Sequence, residues 1–207
     1  KDHKVLLTLH VAETKFDVQA CVDKYGLRPV EVLAKYGLLG SHTVMSHCVH
    51  LTNREIKLIK KYGATIVHLP SSNLLHRSGR FNYPLLHQLG ADSHIMLGTD
   101  SVVSKSRLDV LSEAYQAKMM HQESQVLSYG ELFNMITAQG ARLLGLPQVG
   151  KILPGYKAYL AFWKLKERGL IPFDPTHPES IVVNLLGNGG RRVRDLMIDG
   201  KFVISNR

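Results

Sequence analysis

Short apolar runs recur along the first half of the chain, and each is followed by a segment whose apolar residues have helical spacing. Runs without clean alternation of apolar and polar residues are typical of strands that are buried on both faces. Capping residues and glycines separate the segments, as Thr52 and Gly63 do on either side of one predicted helix. We predict strands at 6–11, 42–50, 64–69 and 94–98, and helices at 14–25, 28–36, 54–62, 84–89, 108–121 and 129–144.

The alternation of strands and helices predicts the fold class. Parallel neighbouring strands need a crossover connection, and this connection is usually a helix. The repeated order of strand and helix therefore predicts an α/β fold, with a parallel sheet and helices outside it. The polar stretch 70–82 is rich in Ser, Asn and Gly, and it is predicted to be a loop.

The pattern changes after Gly145. The segments 157–163, 180–184 and 195–204 have the composition of short strands, and Asp199-Gly200 predicts a hairpin turn within the last of them. We therefore predict two domains, an α/β part at 1–146 and an appended β part at 147–207.

Composition excludes several classes of protein. The 207 residues are 44% hydrophobic and 21% charged, which is ordinary for a globular domain, and no stretch reaches the roughly 20 apolar residues of a membrane span. The net charge of +9 raises nucleic acid as a partner, but few aromatic residues lie among the basic ones, which favours a solvated surface. Two cysteines, Cys21 and Cys48, form no disulfide framework and suggest buried thiols in a reducing cytoplasm. The opening residues Lys1–Lys4 contain no cleavage site, so no signal peptide is expected.

Four residues with chemically active side chains follow the predicted strands. They are His10 and Glu13 after the first strand, His47 in the second and Asp100 after the fourth. In a parallel α/β barrel the catalytic groups converge at this end of the strands. Imidazole and carboxylate are ligands of zinc and similar ions, so His10 with Asp100 is a candidate ligand pair. A buried histidine with satisfied hydrogen bonds is the alternative interpretation for each histidine.

Four short motifs occur in order along the chain and carry a resemblance to a known family. They are HVAET at 10–14, SHCVH at 46–50, PSSNL at 70–74 and LGTD at 97–100. Together they resemble the late motifs of the amidohydrolase superfamily, in the branch of S-adenosylhomocysteine and methylthioadenosine deaminases, guanine deaminases and triazine chlorohydrolases. The resemblance extends through 137–155 and implies the C-terminal half of a TIM (β/α)8 barrel, about strands 5 to 8, followed by part of a small β-sandwich.

The resemblance also implies roles for the four residues. His10 would be a metal ligand, and Asp100 would be both a ligand and the base that takes a proton from the attacking water. Glu13 would shuttle a proton to a ring nitrogen of the substrate, and His47 would polarise the carbon under attack or hold the developing oxyanion. The implied cofactor is Zn²⁺ or Fe²⁺ in the complete enzyme, and whether this chain alone retains it stays open.

The chain departs from the family pattern at its start. Members carry a His-x-His pair on the first barrel strand, and nothing ahead of His10 resembles it. The chain therefore holds only two of the expected metal ligands, and the isolated chain is expected to be inactive. Its open sheet edges predict that it forms a homo-oligomer or associates with the missing N-terminal half.

Several functional hypotheses follow from these observations. The first is a hydrolase that releases ammonia from a purine-like or related heterocycle, without nucleic-acid or membrane partners. The alternatives are a triazine-type chlorohydrolase and a metal-free fragment that acts only as an interaction or scaffold subunit. His68 and the stretch 70–80 would either shape the substrate pocket or cap a helix, and a second metal site at Cys48 and His50 is a weaker possibility.

Overall fold

The computed structural model describes residues 5–104, 107–124, 127–166, 168–177 and 179–205. The chain divides into two compact units, Lys1–Leu108 and Asp109–Arg207. The boundary predicted at residue 146 separates a barrel part from a sandwich part and stays a prediction. The opening residues Lys1–Lys4, on which the expected lack of a signal peptide depends, lie outside the described residues.

The first unit contains a four-stranded sheet in which every described pairing is parallel. The strands lie in chain order, and one register row runs through Leu9, Met45, Ile66 and Ile95. This confirms the predicted α/β fold with a parallel sheet. The strands are β1 (Leu7–Val11), β2 (Thr43–His47), β3 (Thr65–His68) and β4 (Ile95–Leu97).

The helices of the first unit connect these strands. Thr14 and Thr52 cap the first and third helices with full capping boxes, and Gly26 and Gly63 end them in the left-handed conformation. These local features explain why the predicted bounds agree with the observed ones within one or two residues for these two helices. The helices are α1 (Lys15–Tyr25), α2 (Pro29–Lys35), α3 (Asn53–Tyr62), α4 (Pro70–Leu75) and α5 (Tyr83–Gln88).

The core of the first unit is apolar and tightly enclosed. Met45, Ile66 and Ile95 of the sheet and Ile59 of α3 have no exposed surface. Burying one such side chain contributes about 1.5–3 kcal/mol. Packing in this core determines where the sheet lies, and therefore where its strands end.

Two sequence-based predictions fail near those strand ends. The stretch 70–82 is not a continuous loop, because α4 begins at Pro70, a residue that suits the first turn of a helix. The predicted strand 42–50 ends at His47, since His47 and Cys48 both have positive φ and turn the chain out of the sheet.

The second unit contains helices and a small antiparallel sheet. The sheet has the order β5-β6-β7, and Asp199 and Gly200 connect its last two strands with φ of 49° and 79°, as the hairpin prediction required. Within the described ranges, every helix is too short or too polar to cross a membrane. The elements are α6 (Val110–Met120), α7 (Tyr129–Met135), α8 (Ala138–Leu143), β5 (Leu160–Phe162), α9 (Ser180–Asn188), β6 (Asp195–Ile198) and β7 (Lys201–Ser205).

Two predictions are also wrong in the second unit. The predicted helix 129–144 is interrupted at Thr137, whose backbone leaves the helical region and whose hydroxyl donates to the Phe133 carbonyl oxygen at 2.6 Å. The predicted strand 180–184 is the first part of α9, which packs against α6 and α7. Packing against these helices overrides the strand preference of the β-branched residues in this segment.

Candidate active site

The four predicted site residues meet at the carboxyl-terminal end of the parallel sheet. His10 lies in β1 and His47 is the last residue of β2, while Glu13 and Asp100 follow β1 and β4. Since the strands are parallel, their carboxyl ends all lie at the same end of the sheet. Residues far apart in the sequence therefore come together there.

His47 lies at the centre of this group. The rings of His10 and His47 are 5.0 Å apart between centroids and nearly perpendicular. His47 Nε2 lies 3.6 Å from Glu13 Oε2 and 4.0 Å from Asp100 Oδ2. One nitrogen of a buried imidazole thus faces two carboxylates.

The backbone is strained at the same strand ends. Ala12, His47 and Asp100 have φ of 48°, 71° and 59°. The left-handed conformation costs an L-residue about 1–2 kcal/mol, and residues held in it cluster at functional sites. The surrounding structure therefore holds His47 and Asp100 in place against a local preference.

Hydrogen bonds hold Asp100 in its ionised form. Ser72 Oγ donates to Asp100 Oδ2 at 2.5 Å, and the Ser101 N–H donates to Oδ1 at 2.7 Å. Burial alone would raise the pKa of Asp100, but these hydrogen bonds, a further one from Ser104 and the nearby His47 lower it overall. Asp100 is therefore an anion near neutral pH and can accept a proton or bind a cation.

Glu13 and His47 are also held by neighbouring side chains. Ser78 Oγ donates to Glu13 Oε1 at 3.0 Å, and His47 Nδ1 lies 2.8 Å from Asn73 Oδ1. His50 Nε2 in turn lies 2.7 Å from the Ser78 carbonyl oxygen. Glu13, His47 and Asp100 thus each have a hydrogen bond to a residue outside the group.

The donor set suits a divalent metal ion. One ligand atom from each of His10, Glu13 and His47 can be chosen so that all lie within 4.8 Å of one another. Imidazole nitrogen and carboxylate oxygen are the ligands that zinc accepts alongside thiolate. Asp100 lies beside this cluster, with its Oδ2 4.0 Å from His47 Nε2. The predicted ligand pair of His10 with Asp100 stays a prediction.

The other candidate residues have structural partners. Burial raises the pKa of the Cys48 thiol, whose Sγ donates to the Met45 carbonyl oxygen at 3.7 Å, and His50 is engaged with Ser78. His68 is buried at the end of β3, and its ring stacks on Phe81 with 4.1 Å between centroids. A second metal site at Cys48 and His50 gains no support from this geometry.

The sequence did not reveal the roles of Ser72, Asn73 and Ser78. Their polar side chains were interpreted as parts of a loop, yet all three are buried and each meets a different member of the site. The run of Ser and Asn directly after a strand and a proline was the available indication.

Comparison with known proteins agrees with this geometry. A profile described as Amidohydrolase family matches residues 1–203. Proteins named 5-methylthioadenosine/S-adenosylhomocysteine deaminase from Desulfitobacterium hafniense and Pyrococcus abyssi are each 34% identical over 203 residues, which is 96% of this chain and 46% of theirs. The chain thus spans about half the length of the curated relatives that it matches.

Solved structures give the same result for the fold. An adenosine deaminase from Xanthomonas campestris with bound zinc matches with a TM-score of 0.86 and 29% identity, over 98% of this chain and 46% of that one. Atrazine chlorohydrolase from Arthrobacter aurescens TC1, complexed with zinc, matches with a TM-score of 0.84 and 23% identity, over 98% and 44%. The second likeness concerns the fold alone.

Proposed function

This chain belongs to the Amidohydrolase family, and we propose that it is the C-terminal half of a metal-dependent hydrolytic deaminase. The substrate would be a purine-like or related heterocycle, from which the enzyme releases ammonia. The names of the relatives from Desulfitobacterium hafniense and Pyrococcus abyssi support a deaminase. The observation that carries the proposal is that His10, Glu13, His47 and Asp100 converge at the carboxyl-terminal end of the sheet.

The residues present suit a zinc ion, because His10, Glu13 and His47 offer imidazole and carboxylate donors in one small cluster and Asp100 Oδ2 lies 4.0 Å from His47 Nε2. His10 and Asp100 would hold the ion, together with ligands from the absent half of the protein. When bound, such an ion acts as a Lewis acid and makes water nucleophilic near neutral pH.

The side chains of this chain would supply the proton transfers. Asp100, held as an anion, would take a proton from the attacking water as it bonds to the ring carbon. Glu13, in its protonated form, would deliver a proton to a ring nitrogen of the substrate, and His47, protonated at Nε2, would donate to the oxygen that develops negative charge. Asp100 would then pass the proton it took from water to the amino group, the carbon–nitrogen bond would break with loss of ammonia, and the hydroxyl proton of the product would return to Glu13. The separations of 3.6 Å and 4.0 Å from His47 place all three groups within reach of one small substrate.

A chimera tests this proposal. The N-terminal part of the Desulfitobacterium hafniense relative would be joined to this chain, and ammonia release from 5-methylthioadenosine, S-adenosylhomocysteine, adenosine and guanine would be measured. We expect release from at least one purine and a loss of about 100-fold or more in Glu13→Gln and Asp100→Asn, as is typical for removal of an acid–base group. A folded, zinc-loaded chimera that deaminates none of these compounds would contradict the deaminase assignment.

Two other functions make different predictions in the same assay. A triazine-type chlorohydrolase would release chloride from atrazine, and the fold likeness to atrazine chlorohydrolase is the reason to include this substrate. A metal-free scaffold subunit would leave activity unchanged on substitution of Asp100. The hydrogen bonds that keep Asp100 ionised favour an enzyme over a scaffold.

A further inference from the structure

Three of the four site residues are held by one short segment of the chain. Ser72 donates to Asp100, Asn73 pairs with His47, and Ser78 donates to Glu13. Ser72 and Asn73 have no exposed surface, and Ser78 has 3%. Buried polar side chains need partners. The hydroxyls of Ser72 and Ser78 and the Oδ1 of Asn73 find theirs in the site, while Nδ2 of Asn73 has no partner among the described residues.

We propose that residues 72–78 form a single positioning element for His47, Asp100 and Glu13, in which Asn73 fixes the Nδ1-protonated tautomer of His47. The catalytic consequence rests on the proposed function, whereas the tautomer of His47 does not. Ser72, Asn73 and Ser78 are positioning residues in this account, because each acts through another side chain.

The segment is built as one rigid piece. Its backbone closes on itself, since the Ser78 N–H donates to the Asn73 carbonyl oxygen at 3.0 Å and the His76 N–H donates to the Ser72 carbonyl oxygen at 2.9 Å. The backbone positions of these residues are therefore linked to one another. A shift of α4 would displace the partners of all three site residues together.

The end of the segment is fixed by close packing against the turn after β2. Gly79 has φ of 126°, and a Cβ added there would lie 3.0 Å from Val49 Cγ1 and 3.1 Å from His50 Cε1. His50 also bonds to the Ser78 carbonyl oxygen. Val49 and His50, which follow His47 in the chain, thus pack against the segment 72–78 that contacts His47.

The tautomer follows from the pairing of His47 with Asn73. If Nδ1 carries a hydrogen and donates it to Asn73 Oδ1, Nε2 faces Glu13 and Asp100, where it can take up a proton, and the protonated ring then presents an N–H to the developing oxyanion. The reversed amide would place Nδ2 against Nδ1 and force the hydrogen onto Nε2. In the structure Oδ1 of Asn73, not Nδ2, faces Nδ1 of His47, which corresponds to the first arrangement.

Two substitutions at Asn73 test the role of its Oδ1 as the hydrogen-bond acceptor of His47. Asn73→Leu keeps the branched shape of the side chain, with bulkier methyl groups and no acceptor, whereas Asn73→Asp keeps an acceptor oxygen at the same place. Leu74→Ala is the matched control, because Leu74 is the next residue of α4 and its side chain is 60% exposed. Long-range proton–nitrogen NMR of the labelled chain at about pH 8, where an unperturbed imidazole is neutral, reports the tautomer of His47, and His47→Gln identifies its signals.

The expected result is an Nδ1-protonated His47 in the wild type, in Asn73→Asp and in Leu74→Ala, and loss of this tautomer in Asn73→Leu. A wild-type His47 that carries its hydrogen on Nε2 would overturn the proposal, and so would an unchanged tautomer in a folded Asn73→Leu. If Asn73→Leu does not fold, the wild-type spectrum still decides.

A second readout concerns catalysis in the chimera. There, Asn73→Leu is expected to lower kcat by about 10–100-fold, the usual effect of removing such a partner, with KM little changed and partial rescue by Asn73→Asp. An equal loss in Leu74→Ala would contradict a positioning role. An inactive chimera with the expected tautomer would count against the proposed deaminase and leave the positioning element supported.

Discussion

His47 connects the local structure of the chain to its chemistry. Its backbone has φ of 71°, its Nδ1 is paired with Asn73 and its Nε2 faces Glu13 and Asp100. A strained backbone at a buried imidazole persists only when the surroundings determine it. The site is thus fixed by contacts on both sides of one ring.

A pH-dependent contribution to stability is expected at Asp92. Burial alone would raise its pKa, but hydrogen bonds from His87 and Tyr83, at 2.9 Å and 2.8 Å, and the charge of His87 lower it overall. A lowered pKa in the folded state stabilises the fold above the unfolded pKa of about 3.9, and this stability is lost as the pH falls through the folded pKa.

Urea unfolding of the wild type and Asp92→Asn at several pH values between about 2 and 6 measures this effect. The wild type should be more stable at the upper end of this range, and the difference should shrink as the pH falls below about 4. A difference that stays constant across the range would show that Asp92 stabilises the fold without its charge.

Individual site residues could be predicted from the sequence only where a motif marks them. His10, Glu13 and Asp100 lie at or after the ends of predicted strands and His47 lies within one, and the motifs around them give each its expected role. The partners of these residues could not be found this way, because the bonds to Asn73, Ser72 and Ser78 join residues separated by 26, 28 and 65 positions. Such pairings depend on the sheet order.

At the scale of elements, β1 leaves one edge of the parallel sheet without a described partner strand. The Leu7 N–H donates to the His42 carbonyl oxygen, and N–H groups alternate in direction along a strand, so the Thr8 N–H points to the open edge. An exposed edge is a template for pairing with another chain. We therefore expect the isolated chain to self-associate at micromolar concentration.

Sedimentation of the wild type and Thr8→Pro tests this expectation. Proline at Thr8 removes an N–H from the open edge and leaves the described bond of Leu7 to His42 intact, so it should shift the chain toward the monomer. Leu74→Ala provides a control with a substitution away from β1. A monodisperse wild-type monomer, or association unaffected by Thr8→Pro, would contradict pairing through this edge.

Elements with strong local features could be predicted from the sequence, and those shaped by packing could not. Thr52 and Gly63 mark both ends of α3, which is found as predicted. The segment 180–184 is rich in β-branched residues, but its contacts with α6 and α7 make it helical. At 70–75 the polar side chains suggested a loop because their buried partners in the site were not visible in the sequence.

At the scale of the whole molecule, the chain spans about half the length of the curated relatives that it matches. It covers 46% of the relatives from Desulfitobacterium hafniense and Pyrococcus abyssi, and its four-stranded sheet retains two free edges among the described strands. The assignment of these strands to positions 5 to 8 of a barrel, about half of its eight strands, stays a prediction. The proposal that this chain is one half of the enzyme would account both for the two expected ligands and for the two edges of the sheet.

The central claim is that His10 and Asp100 supply part of a metal site that the absent half completes. The most direct test is the zinc content of the purified chimera, compared with His10→Ala, Asp100→Ala and, as a control outside the cluster, His87→Ala. We predict near-stoichiometric zinc in the wild type and in His87→Ala, and loss of most of it in the other two variants. Zinc content that is unchanged in folded His10→Ala and Asp100→Ala variants would contradict the claim.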